Sequence, residues 1–377
     1  MTLTSIVALA GLFSVGITAS ILGAFKLELT KSLDIDNAKI GILVSTLTFT
    51  SVIMSLLLGV LIDMTGYRFV ALAGFLFTSA AVYLLVSARR YSVAVFGCVI
   101  LGIGGMSLNS FGSTLITEVL FGGNSQSLAL TVGHAVGSVG AMSIPLVMGL
   151  LLVALGFKRI GHIFSILLLV PVPFVLVTHF PSVSSDFEFL RSITLLSDPV
   201  ILVAGAALYC YIGAEASYGA WTTTYVSHLG VGKRTSELTL TLFWMSLLIG
   251  RLFAAKFITP VTELSLLTIL ASIGIVNSCA MIFNKNGRLG ILMTIIGGLT
   301  LGPVFPIIVG RVFSVVDPSL KGSTFGILLA TGLMGAGTVP AAIGFYSRGK
   351  EFRKSLVITL GAVIGMLACI IVLAKLT

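Results

Sequence analysis

Charged residues are scarce in this chain: Asp, Glu, Lys and Arg make up 9% of 377 residues, against about a quarter in an ordinary soluble protein. The sequence has no CxxC pair and no His/Cys cluster at metal-ligand spacing, so neither a zinc module nor a dithiol redox centre is expected. The cysteines, Cys98, Cys210, Cys279 and Cys369, all lie inside apolar runs and read as small buried hydrophobes. There is no G-x-S-x-G, no HExxH and no phosphate loop with its Lys, which excludes the common hydrolases and metalloproteases and an ATP-driven pump. The expectation is a chain that is no enzyme and carries no cofactor or metal. The net charge of +9 does not point to nucleic acid, because the cations sit in pairs at the ends of apolar runs, where they serve as interfacial anchors.

What fills the sequence is apolar surface. Hydrophobic residues are 57% of the chain and mean hydropathy is +1.14. Twelve apolar stretches of about twenty residues follow one another with short polar breaks, the length a helix needs to cross a bilayer. They lack the apolar/polar alternation of barrel strands. The spans are expected at 5–27, 40–62, 69–88, 93–120, 128–155, 161–179, 200–227, 238–260, 264–283, 289–316, 322–345 and 355–375. Met1–Ser5 has no Lys or Arg, and a charged loop rather than a small-residue cleavage site follows the first run, so that run is expected to be a retained helix and not a signal peptide. The fold class is an all-α polytopic membrane protein of twelve transmembrane helices in two pseudo-symmetric six-helix bundles. The expected domains are residues 1–180 and 200–377, joined by a linker at 181–199 that holds Ser182–Ser185 and a short amphipathic piece, Phe187–Leu196.

The two halves share landmarks. The second span of each ends on Gly followed by charge: Gly59, Asp63 and Arg68 in one, Gly250, Arg251 and Lys256 in the other. Each fourth span has a Gly cluster (Gly102, Gly104, Gly105; Gly297, Gly298, Gly302). Each fifth span combines small residues with Pro: Gly133, Gly137, Gly140 and Pro145, then Gly332, Gly335, Gly337 and Pro340. Small residues let helix backbones approach, and Pro and Gly let helices bend. Repeated halves of this kind build many secondary transporters.

Gly59-Val-Leu-Ile-Asp63-Met-Thr-Gly66-Tyr-Arg68 resembles the G-x-L-x-D-x-x-G-x-R loop signature of the major facilitator superfamily. Tyr211 to Trp221, Phe243-Trp244 with Gly250-Arg251, and Gly298 to Pro306 resemble the seventh, eighth and tenth helices of its fucose-permease-like sugar/proton symporters. Residues 109–145, with Glu118 and His134, resemble the fourth and fifth helices of that branch, and the Gly-rich run to Pro340 the eleventh. The resemblance implies the major facilitator fold and a cytoplasmic gate in which Asp63 and Arg68, in the motif with Gly59 and Gly66, lock the halves; Glu118, Arg251 and Arg311 also lie near span ends, and for all of these charges the alternative, stronger for the last three, is a solvated, snorkelling span end. It also shows two departures: Gly23 and Asn109 stand where the proton-coupled permeases carry acids.

Glu215 is the acid expected deepest in the membrane, where a charge marks function by default. Tyr211, Glu215, Tyr218, Thr222 and Tyr225 recur at spacings of four, three, four and three, which places them on one helical face with Trp221 beside it. A carboxylate accepts bonds from hydroxyls and aromatic rings cover the apolar face of a sugar. The expected solute-binding residues are Glu215, Tyr211, Tyr218, Trp221, Thr222, Asn109, His134 and Trp244, with Glu215 also carrying protons. Asn109 with Ser113, and His134 with Ser138, are each four apart. The structural alternative is interhelical glue, with Glu215 bonded to His134 or a backbone amide; for Trp244 it is a place in the interfacial belt.

The expected function is transport of a small polar, sugar-like solute by alternating access, as proton symport through Glu215 or as uniport. An efflux carrier of amphiphilic compounds and a transporter-shaped sensor are the alternatives. The expected partners are the lipid bilayer, a small-molecule solute and protons, with no nucleic acid, and the chain is expected to be a monomer in the plasma (inner) membrane; the resemblance implies that both termini and the Asp63–Arg68 loop are cytoplasmic. Charge placement opposes that orientation: breaks after odd-numbered spans hold most of the Lys and Arg, among them Lys26, Lys39, Arg89, Lys158, Lys233, Lys285 and Arg353, and the positive-inside rule would put those in the cytoplasm.

Overall fold

The computed structural model describes residues 2–181, 189–259, 261–348 and 351–377. Among them the regular structure is helical, with no strand, and twelve helices are long and apolar enough to cross a membrane. They are α1 (Leu3–Leu33), α2 (Lys39–Thr65), α3 (Tyr67–Ser87), α4 (Tyr91–Val119), α5 (Gln126–Leu155), α6 (Phe157–Val177), α7 (Pro199–His228), α8 (Lys233–Ala254), α9 (Glu263–Phe283), α10 (Gly287–Val315), α11 (Pro318–Tyr346) and α12 (Phe352–Leu376). The protein is an integral, multi-pass membrane protein.

The helix starts are set by local chemistry. Thr2, Asp36, Asp198 and Asn286 each accept a backbone N–H in the first turn of α1, α2, α7 and α10, filling donors that the helix itself leaves open. Pro199 is the first residue of α7, where its missing N–H costs nothing. The ends differ from expectation where hydropathy and capping disagree. α1 runs on past residue 27 through Glu28 and Lys31 until Asp34 adopts a left-handed conformation at φ 51°, because loss of apolarity does not itself end a helix. α8 starts at polar Lys233 and stops at Ala254, not at 260. In the central stretch Phe189–Thr194 forms a short helix; Ser182–Ser185, Phe187 and Glu188 lie outside the described residues.

Two compact units emerge from the contacts. Unit 1 comprises Met1–Asn124, Gly133–Ser192 and Asp317–Gly326; unit 2 comprises Ser125–Val132, Ile193–Val316 and Ile327–Thr377. In unit 1, α4 packs on α1, α2 and α3, and α3 on α6. In unit 2 the same pattern recurs: α10 packs on α7, α8 and α9, and α9 on α12. The core of unit 1 is Ile17, Ile21 and Phe25 of α1 with Leu85 of α3, Leu101 of α4 and Phe164 of α6.

The matched small residues mark matched close approaches. A Cβ on Gly140 would lie 2.0 Å from the Phe13 carbonyl oxygen, between α5 and α1. Its counterpart Gly335 would bring a Cβ to 2.1 Å from the Tyr209 carbonyl oxygen, between α11 and α7. Backbones touch at both places, so only Gly fits.

Candidate functional site

In unit 2 the face of α7 singled out by spacing is turned into protein. Tyr211 and Tyr218 are buried, at 1% and 6% exposure, and Glu215 is half-buried. The Tyr211 hydroxyl donates to the Glu215 carboxylate one turn on and also lies in hydrogen-bonding reach of Arg251 on α8. Arg251 Nε donates at 2.9 Å to the Gly302 carbonyl. That carbonyl has a specific need. In a continuous helix it would accept the N–H of residue 306, and residue 306 is Pro, which has none. α10 is interrupted there, its two pieces being Gly287–Leu301 and Val304–Val315. Glu215, Tyr211, Arg251 and the break in α10 thus form one connected set.

Further along, the stripe meets other helices. Tyr218 stacks on Phe243, with centroids 5.1 Å apart. It accepts from Asn277 Nδ2 at 3.2 Å and donates to Met281 Sδ at 3.3 Å. Tyr225 donates to the Met281 carbonyl and accepts from Asn284 Nδ2, each at 3.2 Å. Between α7, α9 and α12 a cavity of about 20 Å³ is lined by Tyr218, Thr222, Ser278 and Thr359. Thr222 and Thr359 have no hydrogen-bond partner among the described residues, and the space suits one water. Trp221 donates from Nε1 to the Pro340 carbonyl at 3.0 Å. Trp244 is 42% exposed and packs edge-on against Phe243. So Glu215 and Tyr211 keep company with α8 and α10, Tyr218, Thr222 and Tyr225 with the interior of unit 2, and Trp221 with α11. Asn277 and Asn284 were not singled out from sequence; an Asn inside or ending an apolar run was the signal for both.

In unit 1, Asn109 is buried and accepts from Ser113 Oγ at 3.1 Å, and Ser113 Oγ lies 3.3 Å from His134 Nε2. His134 thus meets Ser113 across α4 and α5, while Ser138 Oγ donates at 3.0 Å to the His134 carbonyl within α5. Gly23 is exposed, with open space around it.

The loop motif acts within unit 1. Gly66 sits at φ 81° between α2 and α3, a conformation that suits Gly. Buried Asp63 accepts from the backbone N–H groups of Gly322 and Ser323, at 2.8 and 2.6 Å, and from Ser323 Oγ at 2.6 Å. It therefore caps the first turn of α11 from another helix. The approach needs glycines: a Cβ on Gly59 would meet the Gly322 carbonyl oxygen at 2.2 Å. Tyr67 donates to Glu118 at 2.8 Å, and Arg68 donates to the Thr178 carbonyl at 2.9 Å. Buried Lys321 feels the Glu118 charge. Asp63 and Glu118 come together with Lys321, whereas Arg68 is engaged at the end of α6.

The model of the Major Facilitator Superfamily matches residues 7–340. No curated protein matches the chain. Among solved structures, the E. coli fucose:proton symporter FucP aligns with a TM-score of 0.85 at 17% identity, over 98% of each chain. The proton:xylose symporter XylE aligns with a TM-score of 0.77 at 12% identity, over 97% of this chain and 94% of that one. The human organic anion transporter MFSD10 (TETRAN) aligns with a TM-score of 0.81 at 13% identity, over 98% and 99%. At such identities the likeness establishes the fold.

Proposed function

The chain belongs to the major facilitator superfamily, and on that premise we propose that it moves a small polar, sugar-like solute by alternating access, with Glu215 binding the coupling proton. The moving bodies are residues 1–180 and 200–377, joined by 181–199. The observation that carries the reading is the Glu215–Tyr211–Arg251 set. It puts a carboxylate beside the break in α10, where a change of protonation can alter the bend of a helix. Asn109, Ser113 and His134 supply the hydrogen-bonding groups of the other body. Asn109 and Gly23 stand in place of the branch's acids, and Glu215, part-way along α7 beside Tyr211, supplies a carboxylate that can take their part. Tyr218, Trp221, Thr222 and Trp244 shape and support the solute site, and Asp63 with Arg68 governs the gate. The solved fold neighbours that carry fucose and xylose with protons favour a sugar-like solute; the organic anion transporter favours the second reading, efflux of amphiphilic compounds. The protein works as a monomer in the plasma membrane, with its termini in the cytoplasm.

The test is flux in proteoliposomes. A panel of radiolabelled neutral hexoses, pentoses and 6-deoxyhexoses is offered with and without an imposed pH gradient. At least one is expected to accumulate against its gradient when the lumen is alkaline. Movement of amphiphilic organic anions alone would replace this reading by the second one, and binding without flux would make the protein a sensor.

A further inference from the structure

At one end of unit 2, away from Glu215, a cleft of about 140 Å³ opens between the end of α7, the α9–α10 break and the start of α12. It is lined by His228, Leu229, Lys285, Glu351, Phe352 and Arg353. Its size is below the ~300–1,000 Å³ of pockets for drug-sized ligands, and suits one compact polar group. One wall is rigid: His228 stacks on buried Phe352 with centroids 5.4 Å apart, and its Nδ1 lies 2.8 Å from the Thr224 carbonyl oxygen, which leaves Nε2 facing away from α7. Arg353 is fixed by the Asn284 carbonyl and by Glu351. The one carboxylate of the cleft is therefore already neutralised. Lys285 and Lys354 add positive charge close enough to act on Glu351, and among the described residues neither has an ion-pair partner within 4.0 Å.

The surroundings push the same way. The breaks that meet at this end, with the turns beside them, carry Lys233, Arg234, Lys285, Arg288, Arg348, Arg353 and Lys354 against Glu237 and Glu351. These residues lie at the ends of spans, the depth of lipid headgroups. Phe283, the last residue of α9, is 74% exposed and continues the apolar surface that acyl chains cover. Cations at headgroup depth attract anionic lipid, and Lys and Arg are the side chains that bind phosphate.

We infer that this cleft holds the phosphate of an anionic phospholipid, with Lys285 as the unpaired cation of its lining, Arg353 and His228 completing the pocket, and Lys354, next in the chain, adding positive charge from beside it. The inference is independent of the transported solute. It also gives the cations around this cleft a local purpose that does not depend on which side of the membrane they face.

The experiment uses the purified full-length chain in a neutral detergent. Its melting temperature is followed against dioctanoyl phosphatidylglycerol, dioctanoyl phosphatidylcholine and sodium phosphate. The phosphatidylglycerol alone is expected to raise the melting temperature, and the shift should shrink as NaCl is raised. In K285E/K354E the half-saturating concentration should rise at least about tenfold, the scale of losing charge-assisted contacts, while R234E outside the cleft keeps the wild-type response. If K285E/K354E does not fold, K285Q/K354Q serves the same comparison. An undiminished response in either double variant overturns the proposal. So does an equal response to phosphatidylcholine, which would mean detergent-like stabilisation, or to phosphate, which would mean a free-anion site.

Discussion

Glu215→Gln is expected to abolish uphill uptake while leaving exchange of solute across the membrane within a few-fold of wild type. Gln keeps the length of the side chain and an oxygen that can accept from Tyr211, so the local packing of α7 survives. What it loses is the ability to bind and release a proton. Accumulation driven by a pH gradient should fall to the level reached without the gradient. Counterflow, which needs no net proton movement, should persist. The two assays on the same proteoliposomes separate coupling from binding. Glu215→Asp is the informative companion: it keeps the charge but withdraws it from the Tyr211 hydroxyl, so it should retain a pH dependence with a weakened gradient. Undiminished accumulation by Glu215→Gln would remove the proton role from this residue.

Asp63→Ala is expected to weaken the contact of α2 with the first turn of α11 by about 3 kcal/mol or more, because two backbone donors and one hydroxyl there lose their acceptor and an unsatisfied buried donor costs ~1–3 kcal/mol. Asp63→Asn should cost less than Ala, since the amide keeps one oxygen for Gly322 or Ser323 while placing an NH₂ where an acceptor is needed. The check is thermal unfolding of the purified variants, followed by solute exchange. A melting curve for Asp63→Ala that overlies the wild type would mean that water replaces the carboxylate and that the contact holds nothing.

Much of this architecture was legible because a bilayer leaves so few options. Twelve spans, the two bundles and the close-packed glycines of α1–α5 and α7–α11 follow from apolar length and from small residues at matched places. The four-residue spacings put Asn109 beside Ser113 and Tyr211 on the face of Glu215, but not the contact of Ser113 with His134 on the next helix, nor Tyr211 in place of His134 as the partner of Glu215. Less could be read where the partner comes from a distant segment. Periodicity puts Tyr211 to Tyr225 on one face, yet that face meets α8 and α10 at one end and α9 and α12 at the other, and no local pattern says so. Likewise the gate motif marks Asp63 as important but does not say that its acceptors serve the N–H groups of Gly322 and Ser323, more than 250 residues on. Arg251 read as a charged span end; its pairing with the Gly302 carbonyl becomes visible only when Pro306 is recognised as a missing donor four residues later.

Alternating access, as proposed, opens the solute site to one side of the membrane at a time. Spin labels at Thr65 and Lys256, exposed at the ends of even-numbered spans, and at Arg90 and Arg234, exposed beside breaks after odd-numbered spans, report on the two faces. Measured by double electron–electron resonance in nanodiscs as pH is lowered, one pair should draw together as the other moves apart. Distances that stay fixed in both pairs, or that change in the same sense, would contradict alternating access in this protein.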